Sequence, residues 1–377
     1  MDDDVASTRE RTAALDALFA DGGHEQVVAV AHEAARAGRR VALPEDLPAV
    51  VRDALRAAGV ETLFGHQAAT RDLLRRGEHV AIGTGTASGK SLCYQLAVLE
   101  SFAADPSSRS LFLFPTKALA QDQARKLNRF HLAGVTPAIY DGDTPREQRP
   151  LLRRSAGVLL TNPDMLHVGI LPAHERWAEF LHRLRYVVLD EAHVYRGVFG
   201  SHVAQVIRRL RRVCRRYGAD PQFVLTSATI ADPGEFARRL VGLPFAVVDE
   251  NQAPHPERTV VLWNPPLEDA STGVRRSALA EAGHVTTECL LAGARVIAFA
   301  PTRKAAELLY GHVRRRLEDR GRRDRAERIR PYRAGYTPEQ RRSVERRLFE
   351  HELDAVVATQ ALELGIDVGD LDVSLVL

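Results

Sequence analysis

Lysine is almost missing from this chain: of 52 basic residues among 377, only Lys90, Lys117, Lys126 and Lys304 are lysines. The arginine excess, together with heavy alanine use, reflects a GC-rich genome more than selection for a polyanion. Cysteine is scarce too. Cys93, Cys214 and Cys289 stand far apart with no C-x-x-C spacing, which excludes a disulfide framework and a cysteine zinc site. No stretch approaches the roughly 20 uninterrupted apolar residues of a membrane span. The opening Met1-Asp2-Asp3-Asp4 is acidic where a secretory leader is basic, so the expected compartment is the cytoplasm, with no membrane partner.

What remains is a chain with 45% hydrophobic residues, long enough for two domains and an extension. Net charge is only +3, but it is unevenly spread. Residues 303–347 carry 16 basic against 7 acidic side chains, and residues 1–55 carry 6 against 11. The basic surplus in the C-terminal half suits a polyanion, although a solvated helix face explains any one arginine run equally well. In Arg208–Arg216 the apolar Leu210 and Val213 continue the stripe of Val203, Val206 and Ile207, so most of those arginines face water.

Residues 1–55 read as a helical, alanine-rich extension, with Thr12–Phe19 as one amphipathic piece. Over 56–250, short and nearly continuous apolar runs alternate with helical patterns: Val80–Ile82, Leu111–Phe114, Val158–Leu160, Val187–Leu189 and Phe223–Leu225. Such runs indicate a parallel sheet covered on both faces, where ligands sit at the carboxyl ends of strands. Residues 251–266, with Pro254, Pro256, Pro265 and Pro266, read as a linker. A second α/β unit occupies 267–377, with strands Val296–Phe299 and Ala355–Ala358. The final apolar run Val373–Leu377 reads as a core strand with nothing after it, so this unit is expected to be incomplete.

The run Thr84-Gly85-Thr86-Ala87-Ser88-Gly89-Lys90-Ser91 follows the strand Val80–Ile82 and opens a helix. Small residues let several N–H groups converge on one anion at the helix N-terminus. Lys90 is placed to neutralise the outer phosphates of a nucleoside triphosphate and Ser91 to ligate Mg²⁺. The phosphate-loop pattern has glycine where this chain has Thr84. One hundred residues on, Val187–Leu189 runs into Asp190-Glu191-Ala192-His193. A buried strand ending in two carboxylates suits phosphoanhydride hydrolysis, with Asp190 holding the metal opposite Ser91 and Glu191 polarising water.

With two α/β units in tandem, these segments resemble the superfamily 2 helicases, and the remaining motifs are similar in kind and order. The resemblance implies two RecA-like parallel-sheet domains with ATP and Mg²⁺ between them. Phe64-Gly65-His66-Gln67 looks like the family's adenine-reading segment, with Gln67 on the base. Phe114–Leu119 and Thr161–Leu166 resemble the backbone-gripping motifs, and Ser227-Ala228-Thr229 the coupling motif. Phe299–Arg303 and Ala358–Asp367 resemble the later motifs, Asp367 approaching the nucleotide. Nucleic acid would then touch Thr116, Lys117, Thr161, Thr302 and Thr359, though each threonine has helix capping as an equal alternative use. His193 would link the carboxylates to the second domain.

Asp190–His202 looks like the branch of DEAH-box DNA helicases that includes mitomycin repair factor A, which implies 3′-to-5′ unwinding in DNA repair on a single strand or tailed duplex. The residues themselves do not discriminate RNA. The branch continues into a Q-x-x-G-R-A-G-R segment and a cysteine-rich region that this sequence does not carry. A missing arginine finger costs about 10³-fold or more in rate. A duplex translocase or remodelling ATPase shares every motif here, and a nucleic-acid clamp with little catalysis is the non-enzyme alternative.

Overall fold

The computed structural model describes residues 25–377 apart from Thr86, Thr229, Ala270, Ala334 and residues 360–370. The chain forms two compact units, one of Ala35–Pro256 and one that combines Glu257–Leu377 with the described residues up to Ala34.

The N-terminal part differs from the helical extension expected for residues 1–55. β1 (Val27–Glu33) and β2 (Arg40–Ala42) are strands, and helix begins only at Ala49–Ala57. The β-branched Val27, Val28 and Val30 favour a pleated backbone over a helix. The expected helix at Thr12–Phe19 lies outside the described residues.

In the first unit β2 pairs with β3 (Thr62–Phe64), antiparallel. The main sheet collects β4 (Val80–Ile82), β5 (Arg109–Leu113), β6 (Pro137–Ile139), β7 (Val158–Thr161), β8 (Leu184–Leu189), β9 (Gln222–Thr226) and β10 (Ala246–Val248). Its order is β10-β4-β9-β8-β5-β7-β6, and every neighbouring pair runs parallel. The five expected strands are all present. β6 and β10 were not legible, being three residues long and carrying one intermediate or exposed residue at least.

β4 and β5 follow one another in sequence yet are separated in the sheet by β9 and β8. That arrangement leaves the carboxyl ends of β4, β8 and β9 side by side, with the loops after Ile82, Leu189 and Thr226 meeting there. Helices cover the sheet, among them Gly65–Arg75, Lys90–Ala104, Lys117–Asn128 and Gly197–Arg216. The Lys90–Ala104 helix is held down by Tyr94, whose ring meets Phe112 of β5 edge-on at 5.1 Å, both fully buried.

In the second unit β1 pairs antiparallel with β11 (Arg258–Trp263). Residues 251–266 are therefore not a plain linker. The prolines bracket the run Thr259–Trp263 without interrupting it, and its strand partner lies over 220 residues away. Trp263 Nε1 donates to Glu281 at 3.0 Å, and Arg276 pairs with the same buried carboxylate at 3.0 Å. After the hairpin β12 (Leu267–Asp269) and β13 (Val274–Arg275) come β14 (Val296–Phe299), β15 (Ile329–Tyr332), β16 (Ala355–Ala358) and β17 (Val373–Val376). These last four form a parallel sheet in the order β15-β16-β14-β17. Helices Ala278–Leu291 and Arg303–Asp319 bury Leu290, Leu309 and Val313 against it.

Phe112 fills the contact between sheet and loop-bearing helix. Phe112→Ala is expected to lower unfolding free energy by about 3–5 kcal/mol, read from the urea midpoint. An unchanged midpoint would show that the helix does not depend on this contact.

Candidate active site

The loop after β4 is shaped by its backbone. Gly89 precedes the first helical residue with φ 77°, a left-handed conformation that glycine adopts freely, and Ala87 has φ 57°. A Cβ at Gly89 would lie 2.7 Å from Gln67 Nε2, so a larger residue would have to push that amide off the loop. Thr84 is buried, and its Oγ1 lies 2.8 Å from Ser88 Oγ. The threonine that replaces the usual glycine thus closes the loop on itself.

Lys90 opens the helix Lys90–Ala104 and curls back over the loop, donating to the carbonyls of Thr84 at 3.0 Å and Gly85 at 2.7 Å. Burial pulls its pKa below the ordinary lysine value, opposed by the charges of Glu191 and then Asp190. The amine and both acids therefore lie within electrostatic reach of one another.

Asp190 follows β8 and is buried. Its carboxylate accepts from Thr226 Oγ1 and, at 3.1 Å, from the backbone N–H of Glu191, and the Tyr94 hydroxyl lies 3.1 Å away. Burial raises its pKa, against those hydrogen bonds. The Tyr94 hydroxyl is also 3.1 Å from Gln123 Oε1, and Gln123 Nε2 donates to Ser91 Oγ at 3.0 Å. Ser91 and Asp190 are thereby connected through two side chains. Glu191 is held at φ 50°, unusual for a residue with a Cβ, so the chain turns sharply to present it. Burial and the Asp190 charge push its pKa up to about 7, partly offset by Lys90.

These residues fit a magnesium-bound triphosphate. A cradle in which a side chain at Gly89 would displace the Gln67 amide opens a helix. Lys90 is satisfied by carbonyls that a phosphate would replace, and the Ser91 hydroxyl and Asp190 carboxylate supply the oxygen donors Mg²⁺ favours.

His193 lies beside the acids, its Nδ1 3.3 Å from Glu191 Oε2 and 3.3 Å from the backbone N of Ala228. Through Ala228 it meets the segment after β9. Ser227 is buried there, its N–H on the carbonyl of Ile82 at 2.9 Å. Gln67 is buried with both ends of its amide in use, Nε2 donating to Gly89 O at 3.0 Å and Oε1 accepting from Phe64 N–H at 2.8 Å. With one N–H and one lone pair it ties the loop to the segment before it. Thr86, Thr229 and Asp367 lie outside the described residues.

The expected nucleic-acid residues lie at or just after strand carboxyl ends, with different local duties. Thr116 caps Lys117–Asn128 and Thr302 caps Arg303–Asp319, accepting from the backbone N–H of Leu119 and Ala305. Capping is thus realised for both. Lys117 pairs with Asp143 at 2.7 Å on the surface. Thr161 is buried, its hydroxyl donating to Tyr140 O at 2.5 Å, which leaves it no face toward solvent. Thr359 follows β16, its N–H bonded to Tyr332 O at 3.1 Å. Tyr94, Gln123 and Thr226 were not foreseen. Only Tyr94 left a trace in sequence, three residues after Ser91 on the same helix face.

Both the sequence and the fold have known relatives. Residues 64–236 match the DEAD/DEAH box helicase family and residues 282–377 the helicase conserved C-terminal domain. An uncharacterized ATP-dependent helicase of Bacillus subtilis, YprA, is 43% identical over 354 residues, covering 93% of this chain and 47% of that protein. The ATP-dependent helicase HRQ1 of Saccharomyces cerevisiae is 41% identical over 320 residues, covering 83% of this chain and 30% of that one. The crystal structure of the DUF1998 helicase MrfA bound to DNA and AMPPNP is 42% identical with a TM-score of 0.89, covering 97% of this chain and 50% of that one. The chain spans half or less of the length of these relatives.

Two outcomes follow from the acids and their supports. Tyr94→Phe should weaken Mg²⁺ dependence of nucleotide binding by about 10-fold, since partners of a metal ligand are worth 10–100-fold in affinity. An unchanged Mg²⁺ titration would remove Tyr94 from the site. For Glu191 the folded pKa lies above the ordinary 4.5, so the cost of its buried charge is absent below that value and complete above about 7. Glu191→Gln should therefore raise the nucleotide-free melting temperature by roughly a few degrees at pH 8 and leave it unchanged at pH 4. Equal shifts at both pH values would contradict the burial argument.

Proposed function

The chain belongs to the DEAD/DEAH box helicases, and on that premise we propose that it is the ATP-driven motor of a DNA helicase that moves 3′ to 5′ along one strand and unwinds duplex in DNA repair. The observation that carries the motor reading is the convergence of Lys90, Ser91, Asp190 and Glu191, joined through Tyr94 and Gln123 at one sheet edge. DNA as the track is supported by the MrfA structure, whose protein is bound to DNA and AMPPNP.

In this reading Lys90 leaves the carbonyls of Thr84 and Gly85 for the β and γ phosphates, and the loop N–H groups hold the remaining oxygens. Ser91 and Asp190 hold Mg²⁺, which when bound screens the phosphate charge. Glu191 accepts the proton of the attacking water, a task for which a pKa near neutrality is suited. His193 carries the state of Glu191 to Ala228 in the coupling segment. Closing of the two units on ATP and their release after hydrolysis would move the chain along its strand. Thr116, Lys117, Thr302 and Thr359 are proposed to meet the sugar-phosphate backbone through their loops, which carries little base information.

The reading is tested with a 3′-tailed duplex. The parent protein is expected to hydrolyse ATP faster with the duplex than without and to displace one strand, and Lys90→Ala to lose about 10²–10³-fold of that rate. Equal rates for Lys90→Ala and the parent would refute the assignment of the loop. Hydrolysis without displacement would reduce the protein to a duplex translocase.

A further inference from the structure

Eight residues past Glu191 the chain exposes apolar surface that its own core does not use. Val198 is 76% and Phe199 41% exposed, adjacent on the first turn of the helix Gly197–Arg216. Exposed single hydrophobics are ordinary, but this pair sits on a turn with little freedom. Gly197 has φ 58°, and a Cβ at Gly200 would lie 2.2 Å from the carbonyl of Tyr195. The chain is thus closely packed on the Gly200 side of the pair, while Gly197 faces open space. The Phe199 ring rests on that of Tyr195, centroids 5.7 Å apart and tilted by 58°.

Tyr195 is 1% exposed and belongs to the same buried cluster as Leu189, which precedes Asp190, and as Met165 and Leu166 of the Thr161–Leu166 segment. Between Phe199 and the carboxylates there is therefore one packed aromatic and a short turn. Arg196 and His202 flank the pair and are exposed, and no acidic residue occurs from Tyr195 to Arg216. The exposed Phe199 ring follows Arg196 and opens a helix without acids, while the charges of Asp190, Asp164 and Glu191 reach the buried Tyr195 on which it rests; a flat ring beside an arginine suits a polyanion whose subunits each carry a flat face. A protein partner, by contrast, would call for a wider apolar area.

We infer that Val198 and Phe199 are a stacking tip for an unpaired base of the nucleic-acid strand, with Arg196 and His202 beside its phosphates. Tyr195 acts as a positioning residue that passes occupancy of the tip to the Asp190–Glu191 turn. This rests on the helicase reading and adds to it a contact that recognises a base and not only the backbone.

The test is ATP hydrolysis by the full chain against increasing single-stranded DNA, using a strand with bases and one of equal length with abasic sites. On the base-bearing strand Phe199→Ala should raise the concentration for half-maximal stimulation about 10-fold, as expected for one lost stack. On the abasic strand it should match the parent. Phe199→Trp, which keeps a flat ring, should restore the parent curve. A Phe199→Ala curve equal to the parent on the base-bearing strand overturns the inference, as does an equal loss on both strands. If no strand stimulates the parent protein, the helicase reading itself fails, an outcome distinct from either.

Discussion

Much of this structure depends on where one buried amine can find partners. Lys90 is largely withdrawn from water, and its charge is tolerable because two loop carbonyls accept from it and two carboxylates lie across the sheet edge. Neither arrangement is stable alone. A buried ammonium without partners would lose its proton, and Asp190 beside Glu191 without a cation would hold two like charges in a poorly solvated place. Burial first, and then the Asp190 charge, raise the pKa of Glu191, and Lys90 offsets only part of that rise. One amine beside two poorly solvated acids suits a ligand that brings both negative phosphates and a divalent cation.

The fold supplies this geometry through strand order. Because β9 and β8 lie between β4 and β5, the loop carrying Lys90, the acids after β8 and the segment after β9 emerge next to one another. Thr226, the last residue of β9, donates to Asp190, and the next residue, Ser227, bonds back to Ile82. The Asp190 carboxylate and the end of β9 are thus in direct contact, with no further element in between.

Strands of the parallel sheets were readable from sequence because burial on both faces leaves an unbroken apolar run, as at Val158–Leu160. The phosphate loop and the acids were readable because each is contiguous, and the chemistry demands particular residues at fixed spacing. What could not be read depends on distant partners. β1 is a strand because Arg258–Trp263 pairs with it, and Gln123 joins the site only because its helix packs beside Tyr94. Gln67 shows the same limit in another form. Its place in a motif was plain, but whether its amide faces a base or ties down Gly89 is decided by tertiary structure alone.

The central claim is that Ser91 and Asp190 share one divalent cation beside the triphosphate that Lys90 holds. Electron paramagnetic resonance of Mn²⁺ bound with a non-hydrolysable ATP analogue measures this directly, comparing the parent with Asp190→Ala. The parent is expected to retain one tightly held Mn²⁺ per nucleotide, and Asp190→Ala to lose it while still binding the analogue. An identical Mn²⁺ signal in both proteins would place the metal elsewhere and contradict the account.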